Sequence, residues 1–485
     1  MGRLADPDLI VVGAGAAGLY ATLTAARAGA RPVLVSATPL AESASYWAQG
    51  GLAAATALDD SPQRHLDDTV RAGRGAVRPS AARVLTDEAP NALHDLESLG
   101  VHFDADRDGN LALGLEGGHS ARRVAHAGGS ATGRRVTREL SALVALDPRI
   151  EVRERRKAAA LWVDDGRVIG LVTDDGAAIH ARATILATGG TAALWRRTTN
   201  PPGSLGVGMM LAHAAGAALA DLEFVQFHPT AVAGIPGREG FLITEAIRGE
   251  GATLLDADGE RFVDELKPRD EVARAIEAKL HETGMRYVDL DMRGVDPALF
   301  PNVVEALRDA GLDPERELVP VAPAAHYLMG GIAADLHGHA RVPGLYAIGE
   351  CADTGLHGAN RLASNSLSEC FVFGHRAALA ALDQPAGPGQ PVAEPPPPDP
   401  LALERPDRET RRALWAHAGL ERTAEGLQTL VDHPHPLARL TARCALHRNE
   451  SRGAHWRLDA PAPDPALELQ HSVVEDGEVR YERWE

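Results

Sequence analysis

Residues 9–18 read Leu9-Ile10-Val11-Val12-Gly13-Ala14-Gly15-Ala16-Ala17-Gly18. The four apolar residues predict a buried strand, and the glycines that follow form a GxGxxG motif. A helical pattern continues to about Ala28, Gly29 ends it, and Pro32–Val35 predicts a second strand. This strand–helix–strand unit is typical of a Rossmann-like domain, where a helix N-terminus and close glycine backbone receive the diphosphate of a dinucleotide.

The motif does not decide which dinucleotide binds. An acidic residue about 20 positions further on usually binds the ribose, but here the second strand ends at Ser36. Three later segments are suited to a large cofactor that lies across several strand ends: the polar loop 44–51, the 187–190 segment and Glu350. The predicted cofactor-binding residues are Gly13, Ala14, Gly15, Ala16, Ala17, Gly18, Ala44, Ser45, Tyr46, Trp47, Ala48, Gln49, Gly50, Gly51, Gly189, Glu350, Ser366 and Leu367.

The pattern along the chain predicts a discontinuous α/β fold. Residues 1–222 form the first part of the cofactor domain, and 328–383 return to the same strand–helix pattern. Residues 223–327 between them change character and predict an inserted α+β capping domain. A Pro-rich linker spans 384–400, and 401–485 predict a small, mostly helical C-terminal domain with a hairpin-like Asp476-Gly477 turn.

Bulk composition excludes several classes of function. The chain has 485 residues and a formal net charge of -18, which disfavours binding to nucleic acid or to anionic membranes. Its three cysteines, with no CxxC spacing, argue against disulfides and a structural zinc site, so no metal is predicted. No apolar run is long enough to span a membrane, and no targeting segment is evident, so we expect a cytoplasmic protein.

Several ordered motifs then identify a family. They are AQGG at 48–51, ATGG at 187–190, QFHPT at 226–230, TEAIRGEG at 244–251, PRD at 268–270, PAAHY at 323–327 and TGLHGANRLASNSL at 354–367. With this set the chain resembles the succinate dehydrogenase/fumarate reductase flavoprotein superfamily, and within it the L-aspartate oxidases most closely. The resemblance runs from Asp8 to about Leu382 and resumes more weakly near 449–453.

The resemblance implies FAD as the cofactor. The dehydrogenases that resemble this chain carry a flavin-linked His five residues before the Gln of AQGG, where this chain has Ala44. A covalent link at that position is therefore excluded, and noncovalent FAD is expected. The family also often has an Asp where this chain has Val207, which cannot accept a hydrogen bond from the cofactor.

A dicarboxylate substrate needs cationic or donor-rich partners for both carboxylates. The motifs supply His228, Thr244, Arg269, His326 and Arg361, and the resemblance implies that Arg269 transfers the proton while the two histidines and Arg361 hold carboxylates. Gln226, Thr244 and Glu245 are further predicted substrate-binding residues. Glu116 matches the aspartate oxidase position that orients the substrate amino group, because an ammonium requires an acidic partner.

The implied reaction is oxidation of L-aspartate to 2-iminosuccinate, with FAD reoxidised by O2 or fumarate. It implies the first step of NAD biosynthesis and a functional link with quinolinate synthase. A soluble fumarate reductase or succinate dehydrogenase flavoprotein is the nearest alternative, and Ala44, Glu116 and the LASNS sequence at 362–366 discriminate against it. Two further alternatives are a non-catalytic flavoprotein, disfavoured by the retained His and Arg residues, and an electron-transfer subunit of a membrane complex.

Overall fold

The computed structural model describes residues 7–385 and 392–485. Residues 386–391, which belong to the predicted Pro-rich linker, lie outside the described residues, as do residues 1–6. The described strands are, in chain order, β1 (Leu9–Val12), β2 (Pro32–Ser36), β3 (Leu52–Ala53), β4 (Leu113–Gly114), β5 (Val124–Ala125), β6 (Glu151–Glu154), β7 (Ala158–Asp164), β8 (Arg167–Thr173), β9 (Ala178–His180), β10 (Thr184–Leu186), β11 (Leu219–Ala220), β12 (Val225–Val232), β13 (Thr253–Leu255), β14 (Val288–Asp291), β15 (Val319–Leu328), β16 (Gly331–Ala333), β17 (Leu345–Ala347), β18 (Ala352–Asp353), β19 (Gln470–Glu475) and β20 (Glu478–Arg483).

Helices occupy much of the remaining described chain. They are α1 (Ala16–Arg27), α2 (Pro62–Ala72), α3 (Pro79–Ser98), α4 (Thr132–Leu146), α5 (Val207–Ala214), α6 (Glu245–Gly249), α7 (Arg269–Thr283), α8 (Pro301–Asp309), α9 (Asn365–Asp383), α10 (Pro400–Leu403), α11 (Arg408–His417), α12 (Ala424–Gln428) and α13 (Pro436–His447). None of the helices in the described part of the chain is long and apolar enough to cross a membrane.

The predicted dinucleotide unit forms the centre of a parallel sheet. Its five strands are ordered β17-β10-β1-β2-β6, and every neighbouring pair is parallel. All four residues of β1 are buried, as parallel strands covered by helices on both faces require. Helix α1 is buried along almost its whole length and packs against α9 and α4. The predicted strand–helix–strand unit and α/β class are confirmed.

The segment predicted as an inserted domain contains a different sheet. Its antiparallel strands are ordered β12-β15-β14-β13, with α7 packed across β12 and β15. An apolar core of its own lies between Val232 and Ala322, separate from the two large cores around the parallel sheet. The boundaries 223 and 327 stay a prediction.

The C-terminal part returns to the cofactor-binding region. Strands β19 and β20 form a hairpin whose turn residues, Asp476 and Gly477, both have positive φ, as the sequence suggested for this turn. Strand β19 pairs with β11, and the buried Arg448 donates to Glu223 just before β12. The helices α10 to α13 therefore lead to a hairpin that is part of a sheet of the main body.

Candidate active site

The turn between β1 and α1 is too tight for side chains at its glycines. Gly13 has a φ of +113°, and a Cβ there would lie 2.2 Å from the carbonyl oxygen of Ala187. A Cβ at Gly18 would lie 1.9 Å from the carbonyl oxygen of Gly13. At the N-terminus of α1, the backbone N–H of Ala16 donates to Ser45 Oγ at 3.0 Å. The loop 44–51 thus meets the helix end where a diphosphate is expected to bind.

The loop 44–51 also contacts the capping region and the segment that carries Ser364. Residues Ala44–Trp47 form a 3-10 turn, and Gln49 Nε2 donates to the carbonyl oxygen of Leu242 at 2.8 Å. The glycine pair at its end runs close to other groups, because a Cβ at Gly51 would lie 2.4 Å from the Ala125 carbonyl oxygen. A Cβ at Gly50 would lie 3.3 Å from Ser364 Oγ.

Glu350 follows β17 and lies at the same carboxyl edge of the parallel sheet as the turn after β1. The backbone N–H of Leu328 donates to Glu350 Oε1 at 3.2 Å, and a Cβ at Gly190 would come within 2.1 Å of the same oxygen. Burial raises the pKa of Glu350 to about 7, although the neighbouring N–H groups and Arg361 oppose this shift. Gly189, which precedes Gly190, takes a positive φ at the end of β10, and Ser366 and the buried Leu367 begin α9.

The predicted cofactor residues therefore fit FAD on three observations. A helix N-terminus can receive a diphosphate, the partly buried carboxylate of Glu350 can accept from hydroxyls, and the glycine backbone leaves room for a flat ring. In addition, Thr188 Oγ1 and Gln49 Oε1 are buried without a hydrogen-bond partner beside these segments. Such polar atoms require a partner, which a bound cofactor can supply.

Gln226 links the two predicted cationic residues. Its Oε1 accepts from Arg269 Nη1 at 3.1 Å and from Arg361 Nη2 at 3.3 Å, and its Nε2 donates to the carbonyl oxygen of Arg361. Burial, followed by the charge of Arg269, lowers the pKa of Arg361 to about 10. The Arg361 guanidinium lies 4.2 Å from the ring centroid of Tyr327, a cation–π contact that the sequence did not indicate.

The two histidines face each other from neighbouring strands. His228 on β12 and His326 on β15 have ring centroids 5.1 Å apart. Burial, and then nearby arginines, hold both histidine pKa values well below the ordinary value. His228 Nδ1 accepts from the backbone N–H of Thr230, so its neutral ring carries the proton on Nε2.

His326 is held through both ring nitrogens. Its Nε2 lies 3.1 Å from Arg361 Nη2, and its Nδ1 lies 2.7 Å from Thr199 Oγ1. Since arginine can only donate, His326 Nε2 accepts and the proton lies on Nδ1, from which it reaches Thr199. The ring is therefore fixed beside the guanidinium.

Glu245 forms ion pairs with two arginines, Arg269 and Arg248. Arg269 Nε donates to Glu245 Oε2 at 2.6 Å, and Arg248 Nη2 lies 3.6 Å from Glu245 Oε1. Burial alone raises the pKa of Glu245, but the charges of Arg269 and Arg248 outweigh it and lower the pKa. The buried Thr244 precedes α6 directly, which places it beside this pair.

Glu116 lies beside the same cluster. Its Oε2 accepts from Ser364 Oγ at 2.7 Å, whereas its Oε1 is buried and accepts no hydrogen bond. A Cβ at the following Gly117 would lie 2.1 Å from Glu245 Oε1. The loop that carries Glu116 thus runs directly past the Glu245–Arg269 pair.

The structure brings together the substrate residues that the sequence predicted, from β12, β15, α6, α7, the 115–123 loop and the segment before α9. Sequence reasoning missed four residues that contact them: Thr199, Arg248, Tyr327 and Ser364. Arg248 had a signal, because it follows Glu245 by three residues and so shares a helix face with it. Tyr327 lies within the quoted PAAHY motif and Ser364 within the quoted LASNS segment, whereas Thr199 lies in none of the motifs.

Comparisons with known proteins bear on the family. The FAD binding domain family matches residues 8–367, and the fumarate reductase flavoprotein C-terminal family matches 431–484. An L-aspartate oxidase of Caulobacter vibrioides is 47% identical over 96% of this chain and 95% of its own length. An L-aspartate oxidase of Streptomyces coelicolor is 41% identical over 96% and 91%.

A solved chain of the E. coli quinol fumarate reductase shares the whole architecture. It is 31% identical, with a TM-score of 0.89 over 99% of this chain and 97% of that one. The fold is therefore that of the fumarate reductase flavoproteins, and the full-length identity is to aspartate oxidases. The chain belongs to the L-aspartate oxidase family of FAD-dependent flavoproteins.

Proposed function

We propose that this protein oxidises L-aspartate to 2-iminosuccinate, using noncovalent FAD that is reoxidised by O2 or fumarate. The observation that carries the proposal is the position of Glu116, a buried carboxylate with one unpartnered oxygen whose charge acts on Arg361 and Arg248. A ligand with two carboxylates and one ammonium complements such a set of charges. When bound, FAD supplies the hydride acceptor.

Two groups of donors bind the two carboxylates. Arg361, held beside His326, offers a planar fork for one of them. His228, neutral and protonated on Nε2, donates to the other together with Thr244. Gln226 accepts from both arginines and so fixes their spacing. The capping region supplies His228, Arg269 and His326, and the cofactor domain supplies Arg361 and Glu116.

Arg269 and Glu116 act on the groups between the carboxylates. Glu116 accepts a hydrogen bond from the substrate ammonium and orients Cα. Arg269 is held by its hydrogen bond to Glu245 and transfers the proton to carbon when fumarate is the oxidant. Because an arginine is a poor resting base, its second role is to attract the negative charge of the substrate.

The alternative is a soluble fumarate reductase or succinate dehydrogenase flavoprotein. It would use the same arginines and histidines, and the 31% identical fumarate reductase chain supports the common architecture. Glu116 favours aspartate over this alternative, because a buried carboxylate near the substrate pairs with an ammonium, which succinate and fumarate lack. The identity of 47% to an L-aspartate oxidase favours the same substrate.

The experiment is product analysis with the FAD-loaded protein. We expect ammonia and oxaloacetate, the hydrolysis products of the imine, from L-aspartate in the presence of O2 or fumarate. D-aspartate is the matched control, because its ammonium points away from Glu116 when both carboxylates are bound. Ammonia released equally from both enantiomers would contradict the proposed orientation, and no ammonia from either would contradict the function.

The instability of the product indicates that another enzyme consumes it. 2-Iminosuccinate hydrolyses readily, so an enzyme that produces it requires a consumer nearby. Quinolinate synthase is the consumer we propose, which makes this reaction the first step of NAD biosynthesis in the cytoplasm. Isotope transfer from labelled aspartate into quinolinate, measured with both enzymes and the three-carbon co-substrate of quinolinate synthase and with either enzyme omitted, tests the link.

A further inference from the structure

Ser364 has an unusual backbone for a residue with a side chain. It precedes α9 with a φ of 61° and a ψ of -1°, in the left-handed region that favours glycine. Its carbonyl oxygen accepts from the N–H of Ala53 at 3.3 Å, so strand β3 helps to hold it there. In this conformation its hydroxyl donates to Glu116 Oε2 at 2.7 Å. We propose that Ser364 is a positioning residue that orients Glu116 toward the substrate ammonium.

A buried hydrogen-bond network fixes the position of the Glu116 loop relative to Ser364. His119, in the loop that carries Glu116, donates from Nε2 to the carbonyl oxygen of Ala363 at 2.9 Å. Its Nδ1 accepts from Arg123 at 3.0 Å, and Arg123 is in turn paired with Asp60 and Asp68. Burial lowers the pKa of His119, which keeps the ring neutral in this tautomer. The loop is therefore attached directly to the residue before Ser364.

The hydrogen bond from Ser364 leaves the two carboxylate oxygens of Glu116 in different environments. Oε2 is satisfied by Ser364, and Oε1 is buried with no hydrogen-bond partner. The Nε2 of His126 lies 3.8 Å from Oε1, too far for a hydrogen bond. One oxygen is thus fixed and the other is left for an ammonium donor.

The pair stands next to the predicted flavin loop. A Cβ at Gly50 would lie 3.3 Å from Ser364 Oγ and 4.0 Å from Glu116 Oε1. The pair therefore lies directly against the Gly50 backbone of the loop that the sequence predicts to contact the flavin. Without the hydroxyl, Glu116 can rotate toward His126 or Arg248, and the ammonium loses its oriented partner. This inference rests on the proposed oxidation of L-aspartate.

The test compares reactions that need the ammonium with reactions that do not. S364A removes the hydroxyl and keeps the Cβ, while S364G removes the hydroxyl and accepts the positive φ freely. We expect both variants to lower kcat/KM for L-aspartate about tenfold. The inhibition constant of succinate and the rate of fumarate reduction by dithionite-reduced enzyme should change less than twofold. S141A is the matched control, because Ser141 is a buried serine of α4 whose hydroxyl has no partner.

A double variant shows whether Ser364 acts through Glu116. If it does, S364A/E116Q has the same kcat/KM for aspartate as E116Q alone, because the hydroxyl has no carboxylate left to orient. Multiplied losses, or equal losses in aspartate oxidation and fumarate reduction, would overturn the inference and indicate a structural role. Wild-type activity in S364A and S364G would overturn it as well. Wild-type enzyme that does not oxidise aspartate at all would instead overturn the proposed function, and this inference with it.

Discussion

Arg269 Nε donates a hydrogen bond of 2.6 Å to Glu245 Oε2, within the buried part of the site. The carboxylate compensates the guanidinium charge and fixes its plane, so the Nη atoms remain directed toward Gln226 and the substrate. An arginine held in this way is an oriented electrostatic partner whose position is set before the substrate arrives.

Replacing Arg269 tests this orientation. R269K keeps a positive charge but loses the fork that contacts Glu245 and Gln226 together. We expect kcat/KM for L-aspartate to fall by about 100-fold or more, the usual effect of removing an oriented donor. R286K is the control, since Arg286 is exposed on the same capping region. If R269K and wild type had equal kcat/KM, Arg269 would not contribute to the reaction.

Replacing Glu116 tests the choice of substrate. E116Q leaves the volume unchanged but removes the charge that pairs with the ammonium. We expect kcat/KM for L-aspartate to fall about 30-fold, the equivalent of about 2 kcal/mol for a charged hydrogen bond. Fumarate reduction should fall much less or rise. The exposed D108N serves as control, and a larger loss in fumarate reduction than in aspartate oxidation would contradict the role of Glu116.

Glu350 predicts a pH-dependent affinity for FAD. Burial raises the pKa of Glu350 to about 7, and cofactor hydroxyls donate better to the ionised carboxylate. As pH falls through about 7, the carboxyl group becomes protonated and FAD should bind more weakly. Fluorescence titration of the apoprotein between pH 6 and 8.5 measures this dissociation constant. E350Q should bind FAD more weakly, and its dissociation constant should change little with pH. If the dissociation constant of E350Q depends on pH as steeply as that of wild type, a group other than Glu350 causes the dependence.

Buried histidines predict a loss of stability in acid. Burial lowers the pKa of His65 to about 3, while the unfolded chain retains an ordinary histidine pKa near 6.5. Below about pH 6.5 the unfolded state binds the extra proton, so this histidine lowers the free energy of unfolding by up to about 1.4 kcal/mol per pH unit. Carboxyl groups with raised pKa values, such as Glu350, act in the opposite direction.

The contribution of His65 is therefore measured by difference. Urea unfolding of wild type and H65Q at pH 7.5 and pH 5.5 gives the change in unfolding free energy for each protein. We expect the acid-induced loss to be smaller in H65Q, whatever its absolute stability. The exposed His94 offers the control H94Q, which should behave as wild type. The same loss in H65Q and wild type would show that His65 titrates normally in the folded protein.

The sequence predicted those parts of the fold that depend on local pattern. The glycines of residues 13–18 follow from a turn that has no space for a Cβ, and the helical pattern that continues to about Ala28 appears as α1. The His, Arg and Gln residues of the site were predicted because their motifs are dense and specific.

Contacts between distant segments could not be predicted in this way. Ser364 and Glu116 are 248 residues apart, and the left-handed backbone that aims the serine hydroxyl depends on β3 and the His119 loop. Thr199 reaches His326 across 127 residues, and its role is to fix a ring tautomer. Such positioning contacts arise from tertiary packing, which residue type and spacing do not report.

Anaerobic reduction of the bound flavin tests the central claim most directly. The FAD-loaded protein is mixed without O2 with L-aspartate or with succinate, and the flavin absorbance near 450 nm is followed. Our account predicts rapid bleaching by L-aspartate and slow or no bleaching by succinate, which lacks the ammonium that Glu116 orients. Bleaching by succinate but not by L-aspartate would contradict the account.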